Sequence, residues 1–600
     1  MSAKNTWLWI LIAAGLFALI LLLPRPKPVT GPIRILPSLK AETVTAIRIL
    51  PKGGAEIRAD RTNGAWQLTR PISYPANAAA IEDLLARFQR LTPAMHIAEG
   101  ELTNRFNADE EFGFADPRLT LIFEQGGSII RLRLGKATLP GDQEYLQVVG
   151  IEGIYVVETA EVSKRIPESA DDWRDPALVH LRELSFDHLA VTNGPKFFVL
   201  RRDATNHLWR MASPIDARAD NAKIDQCLEQ LQQTRITRFV SDQPRADLDT
   251  FGLQPPLLDL ALASGTNTVA LLQFGKSPTN DTRQLYAQRV GRNTLFTVPL
   301  EPLAPWRTFE TYNDFREPRL IELPASVKII EARGASDPFT LERQPDGAWR
   351  LAAASFPTDP DFIKQFVSAF TNLAIAEFTK DVVPKDVVVL EQTLTNYGLL
   401  APSLQYLLKS SAADSPSNAL AVSFGANKEK FYARRSDEPP VYEISAADFR
   451  RLPAASWQFR DRHLWDFTTN DVATLASRQD GRVLRIQRRG PFQWSVAPGS
   501  QGSINDLAVE DTVRELIQGP VLAWVARGDQ ALSRLGFAST GRQITLELNT
   551  GNQVTVQFGG QAPSGDQYAA VTLEGQPWVF EMAASLYRDI QTYLSVPTGP

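Results

Sequence analysis

Cysteine is nearly absent from this chain of 600 residues: Cys227 stands alone, which excludes an intramolecular disulfide and any cysteine zinc cluster. Histidine is scarce as well. His96, His180, His188, His207 and His463 include no pair at the i, i+4 spacing that sets two ligands on one helix face, so a zinc hydrolase is not expected. An excess of charge is missing too. The 63 basic and 68 acidic residues leave a net −5, with no electrostatic footing for nucleic acid. Neither a glycine-serine-glycine elbow nor a glycine-rich dinucleotide loop occurs. Gly275-Lys276-Ser277 has the ending of a phosphate loop, but Ala270 stands where that pattern needs glycine and Pro278 follows at once.

A long apolar run occurs once, from Thr6 to Leu23. These 18 uncharged residues would span about 27 Å as a helix, close to a hydrocarbon core of roughly 30 Å. No small-x-small cleavage site and no lipid-accepting cysteine follow; Pro24, Pro26 and Pro28 end the helix instead. Residues 1–24 therefore read as a cytoplasmic tail with a single transmembrane helix, and 25–42 as a Pro-rich spacer. The remainder is expected on the periplasmic side of a bacterial cytoplasmic membrane.

What fills the rest is repetition with a period of about 140 residues. Trp66, Trp209, Trp349 and Trp494 each follow an apolar residue and an arginine: Ile57 and Arg61, Leu200 and Arg202, Leu341 and Arg343, Ile486 and Arg488. A bulky residue precedes a glycine at Phe112-Gly113, Phe251-Gly252, Tyr397-Gly398 and Leu535-Gly536, and again at Leu134-Gly135, Phe274-Gly275, Phe424-Gly425 and Phe558-Gly559. Tyr145, Tyr286, Tyr432 and Tyr568 come next, then Ile154-Tyr155, Leu295-Phe296, Val441-Tyr442 and Val579-Phe580. The modules cover 43–182, 183–322, 323–466 and 467–600.

Within each, alternating strands are followed by an amphipathic helix, with Ile81, Leu84, Leu85 and Phe88 on one face in the first. A short strand, a glycine turn, further hairpins and an exit helix such as residues 160–166 complete the unit. The class is α+β: four tandem modules of largely antiparallel sheet with one or two helices each. Trp173, Trp306 and Trp457, in DDWRDP, APWRTFETYNDFREP and SWQFRDRHLWDF, are expected to pack modules against each other.

No residue is singled out as catalytic, cofactor-binding or metal-ligating. Asp109-Glu110-Glu111 and Asp171-Asp172 read as solvated turns, and Cys227 as a small core residue on the helix face. Arg482, Arg485, Arg488 and Arg489 read as a solvated strand face. The recurring tryptophans read as core; exposed in a row, they would instead bind carbohydrate, a cell-wall or exported glycan.

The anchor, the Trp66-type strand, Phe251-Gly252-Leu253, and the steps Leu134-Gly135-Lys136 and Phe274-Gly275-Lys276 together resemble the bacterial domain of unknown function family 4340. The resemblance covers the chain after the anchor and is clearest in the first two modules. It implies a non-enzymatic single-pass envelope protein, auxiliary to an ABC-type transport complex related to gliding-motility components, with no site residues to carry over.

Overall fold

The computed structural model describes residues 13–15, 17, 34–102, 105, 107–243, 247–334, 337–381, 387–414, 419–479, 481–500, 502–537 and 541–594. The expected membrane-spanning segment, residues 6–23, lies outside these except at 13–15 and 17. No helix among the described residues is long and apolar enough to cross a membrane.

Four antiparallel sheets of nine, nine, eight and eight strands succeed one another along the chain. In the first, β1 (Val44–Pro51), β2 (Ile57–Thr62), β3 (Ala65–Arg70) and β4 (Tyr74–Pro75) form one meander. Helix α1 (Ala78–Arg90) leads to β5 (Met95–Ile97). A second meander follows: β6 (Leu119–Gln125), β7 (Ser128–Ala137), β8 (Gln143–Val148) and β9 (Ile154–Glu158). The order across the sheet is β4-β3-β2-β1-β6-β7-β8-β9-β5, with β1 and β6 zipping the meanders together through Ile47 opposite Phe123 and Ile49 opposite Leu121. The second sheet keeps this order, and the third and fourth differ only in lacking a counterpart of β4.

One face of each sheet is apolar because buried and exposed residues alternate along its strands. The helix covers that face. Asn77 caps α1 by accepting from the Ala80 N–H at 3.2 Å, and Ile81, Leu84, Leu85 and Phe88 are buried. Asp220, Asp359 and Asn505 cap the three equivalent helices by accepting from Lys223, Phe362 and Ala508. Cys227, Ile224 and Leu231 are each buried. Trp66, Trp209 and Trp494 are buried core residues, and Trp349 is half-buried.

Residues 160–166 contain only a 3₁₀ turn, Ser163–Arg165, where a helix is expected from the sequence. The exit helix grows to ten residues, Ala584–Tyr593, in the last module. The molecule is thus mostly β, with helices as covers.

The repeated glycines and tyrosines meet in one knot. Gly113 has φ +86°, and a Cβ added to Gly135 on β7 would sit 2.0 Å from the Phe112 carbonyl oxygen, so neither tolerates a side chain. Gly275, Gly425 and Gly559 make the same approach, at 2.1, 2.3 and 2.6 Å, to Phe251, Gly398 and Leu535 carbonyls. Tyr145 packs edge-on against Phe112 with ring centroids 4.7 Å apart, as Tyr286 does on Phe251 and Tyr432 on Tyr397. Gly275-Lys276 therefore belongs to the fold: the Lys276 N–H donates to Phe251 O at 3.0 Å.

By packing, the chain divides into two compact units: Met1–Ser185 with Cys227–Leu260 and Val269–Arg307, and Phe186–Gln226 with Ala261–Thr268 and Thr308–Pro600. The strands of the second module are shared between them.

Candidate functional site

Three junctions carry the chemistry that distinguishes this chain from four independent domains. The linker leaving each of the first three modules contains an aromatic residue, an arginine and an acid: Trp173-Arg174-Asp175, Phe315-Arg316-Glu317 and Phe459-Arg460-Asp461. The linker runs extended past the start of its own module's helix, where the cap residue donates its backbone N–H to the aromatic's carbonyl. Asn77 bonds Trp173 O at 2.8 Å, Asp220 bonds Phe315 O at 2.9 Å and Asp359 bonds Phe459 O at 2.9 Å. Successive side chains of an extended segment point opposite ways. The aromatic therefore enters the core behind it: Trp173 in the first module, Phe315 against Phe198 at 4.8 Å, and Phe459 in the third. The arginine is turned to the module ahead.

There each arginine is buried over a ring and paired with a carboxylate. Arg174 lies 4.4 Å from the Phe239 ring centre and bonds Asp242 through both terminal nitrogens. Arg316 lies 3.9 Å from Phe378 and bonds Asp381 at 2.6 Å. Arg460 lies 4.5 Å from Trp578 and forms a two-pronged pair with Glu574 at 2.8 Å. Desolvated cation–π contacts are worth about 2 kcal/mol, and a two-pronged pair fixes orientation as well. The acid shapes the linker itself: Asp175, Glu317 and Asp461 each accept from the backbone N–H two residues on. The first junction lies within the first compact unit, and the other two lie within the second.

A further set of residues completes each junction. At the first, Arg289 donates to the hydroxyl of Tyr74, which burial pushes up in pKa. At the second, Arg218 reaches the wholly buried Glu438 at 3.0 Å, and Tyr442 donates to that carboxylate at 2.6 Å. Burial, reinforced by the Glu438 charge, drives the Tyr442 hydroxyl far above its ordinary value. At the third, Phe356 packs edge-on to Trp578 at 5.8 Å.

The structure redistributes several residues prominent in the sequence. Trp173 holds the junction position, and Trp457 packs on the fourth core as a residue joining modules is expected to, but Trp306 is buried in the helix Ala304–Thr308; Phe315 and Phe459 are the aromatics that precede the second and third junction arginines. Arg488 is no solvated strand residue: it covers Trp494 at 4.2 Å and pairs with buried Glu510 at 3.0 Å. His180, His188 and His463 bond Asp175, Asp187 and Asp461, whereas His96 sits on β5. Among the described residues no three His, Cys, Asp or Glu side chains are grouped to hold a metal. A cavity of about 470 Å³ is lined by Phe339, Leu351, Phe356, Ser456 and Arg527, with Asp337 accepting from Ser456 at its edge. The junction arginines were legible only as the recurring triplets WRD, FRE and FRD.

Comparison with curated proteins gave no match, and neither did comparison with solved structures. One family matches in three segments, 66–207, 209–391 and 349–503, each opening on a recurring tryptophan, Trp66, Trp209 or Trp349. That frame is offset from the folding unit, which begins one hairpin earlier at the strand that pairs with β6 or its equivalent. Together the segments cover well over half of the chain, which belongs to the family described as a domain of unknown function (DUF4340).

Proposed function

We propose that the chain is a non-enzymatic, single-pass membrane-anchored envelope protein whose modules form a protein-interaction surface, serving an ABC-type transport complex. The observation that carries this reading is how the repeated residues are used. The tryptophans, glycines and tyrosines are absorbed by the cores and the glycine knots, and the aromatic-arginine-acid triplets by the junctions. The rows outside the cores diverge instead: Thr120-Arg133-Gln147, Gln273-Gln288, Gln405-Ser423-Arg434 and Gln543-Gln557. Constant interiors with dissimilar polar faces suit a scaffold that meets different surfaces, not one ligand bound four times. Carbohydrate binding loses its motive with Trp66, Trp209 and Trp494 buried. The anchor in residues 6–23 and the placement of the modules outside the cytoplasmic membrane rest on the sequence. Affinity purification of the full chain from solubilised membranes is expected to recover transporter subunits; recovery of none would remove the transporter from this reading.

A further inference from the structure

Modules two to four each receive the preceding arginine beside a pair of rings facing each other across the sheet edge. The pairs are Phe239 with Phe296, Phe378 with Tyr442, and Trp524 with Phe580. The first module builds the same pair. His96 on β5 faces Tyr155 on β9, the rings stacked with centroids 4.7 Å apart. Three residues beyond the edge-strand ring the sequence places Glu99, in the position of Asp242 and Asp381.

At the corresponding position of the sequence the first module has no arginine. Leu178, Leu320 and Ile35 each donate a backbone N–H to the carbonyl just past the module's helix, on Thr234, Leu373 and Leu91. Four residues upstream of the first two stand Arg174 and Arg316; four upstream of Ile35 stands Gly31. Among the described residues no cation is seated over the Tyr155 ring.

The surroundings are apolar and open, with Met95 61%, Ile151 48% and Val149 40% exposed. Ile151 lies six residues after the recurring tyrosine. In the later modules that position holds Arg292, Glu438 and Glu574, which reach back to Tyr74, Arg218 and Arg460. A side that is charged and occupied in three modules thus carries exposed apolar residues in the first.

We infer that this edge of the first module docks an extended, arginine-bearing segment of a second protein, its guanidinium seated over His96 and Tyr155 and its apolar neighbours on Met95 and Ile151. The ring pair matches a cation, and the chain's three internal junctions display the same placement of a guanidinium over rings. The inference rests on the interaction-surface reading and names the chemistry of one partner segment.

The test uses a labelled peptide copying residues 169–177, which contain Trp173-Arg174-Asp175, titrated by fluorescence anisotropy into the full chain in detergent micelles. Saturable binding is expected, about tenfold or more weaker when the peptide carries Arg174→Ala, and similarly weakened by His96→Ala or Met95→Glu in the protein. Both protein positions are exposed, and circular dichroism checks that the variants fold. Absence of saturable binding, binding indifferent to the peptide arginine, or binding unaffected by either protein variant would overturn the inference. Binding that emerges only after Arg25→Ala and Lys27→Ala would assign the edge to the chain's own spacer and overturn it equally. A purification that recovers no transporter leaves this result untouched, so the two readings fail separately.

Discussion

The second and third junctions solve one problem with the same two contacts in different proportion. Both bring an extended linker past the helix cap, bury its aromatic residue behind and aim its arginine ahead. At the second, Arg316 is 1% exposed, its partner Asp381 21%, and alongside lie Arg218, Arg435 and a Glu438 side chain with no exposure. At the third, Arg460 is surrounded by Phe356, Trp524 and Trp578, and its partner Glu574 is half exposed. One interface is locked by desolvated charge that has to remain paired, the other by aromatic packing in which the charge is secondary. A shared backbone route does not dictate a shared source of stability.

The contrast is most sharply broken at Glu438. Glu438→Ala takes the buried carboxylate from Arg218 and the Tyr442 hydroxyl, while Arg435 keeps Asp437, and is expected to destabilise by about 3–5 kcal/mol in thermal or urea unfolding. A smaller effect separates the arginines themselves. Arg316→Met takes the guanidinium from Asp381 and leaves it only the Tyr312 hydroxyl, which should cost about 2–3 kcal/mol, whereas Arg460→Met keeps the apolar stem among the rings, lets Glu574 hydrate, and should cost below about 1 kcal/mol. Equal losses in the two variants would erase the distinction.

Alkaline pH should also tell the junctions apart. Burial first, then Glu438 for Tyr442 and Asp381 for Tyr312, raise these hydroxyls above the ordinary value of 10. A tyrosine so raised favours the folded state fully below that value and loses its contribution as the unfolded chain ionises above it. The thermal midpoint should fall between pH 10 and 11, and less steeply in Tyr442→Phe. The smallest effect belongs to the third junction at acid pH. Burial opposes the charge on Asp461, but the His463 N–H and imidazole outweigh it, so its pKa lies below 3.8. Its stabilisation is present above about pH 4 and drains as pH falls through the lower folded value. Asp461→Asn should flatten that slight drift in midpoint.

Much of the fold is legible because repetition filters accident from necessity. Asn77 at the helix cap, the Ile81-type stripe and the Trp66-type core strand follow from local chemistry: a side-chain acceptor, a 3.6-residue period and a period of two. The glycines and tyrosines show their recurrence in sequence, but not that Gly113, Gly135 and Tyr145 meet, since 22 residues separate the glycines and only the pairing of strands brings them together. The junctions were half legible. Trp173, Trp306 and Trp457 draw the eye as large rings between modules, yet the structural frame is set by which aromatic precedes an arginine and an acid. Arg488 misled for a related reason: alternation along a strand does not reveal that a buried glutamate waits on the helix.

The sequence by itself determined the number and order of the modules, their helix caps and core faces, and the apolar segment at the start, because these depend on periodicity and on the conformations individual residues prefer. Only the tertiary structure decided which distant residues touch: the carbonyl against glycine in each knot, the ring and carboxylate that receive each arginine, and the edge of the first module where His96 stacks on Tyr155. Those contacts are set by strand pairing between positions far apart in the chain, and no local preference encodes that distance.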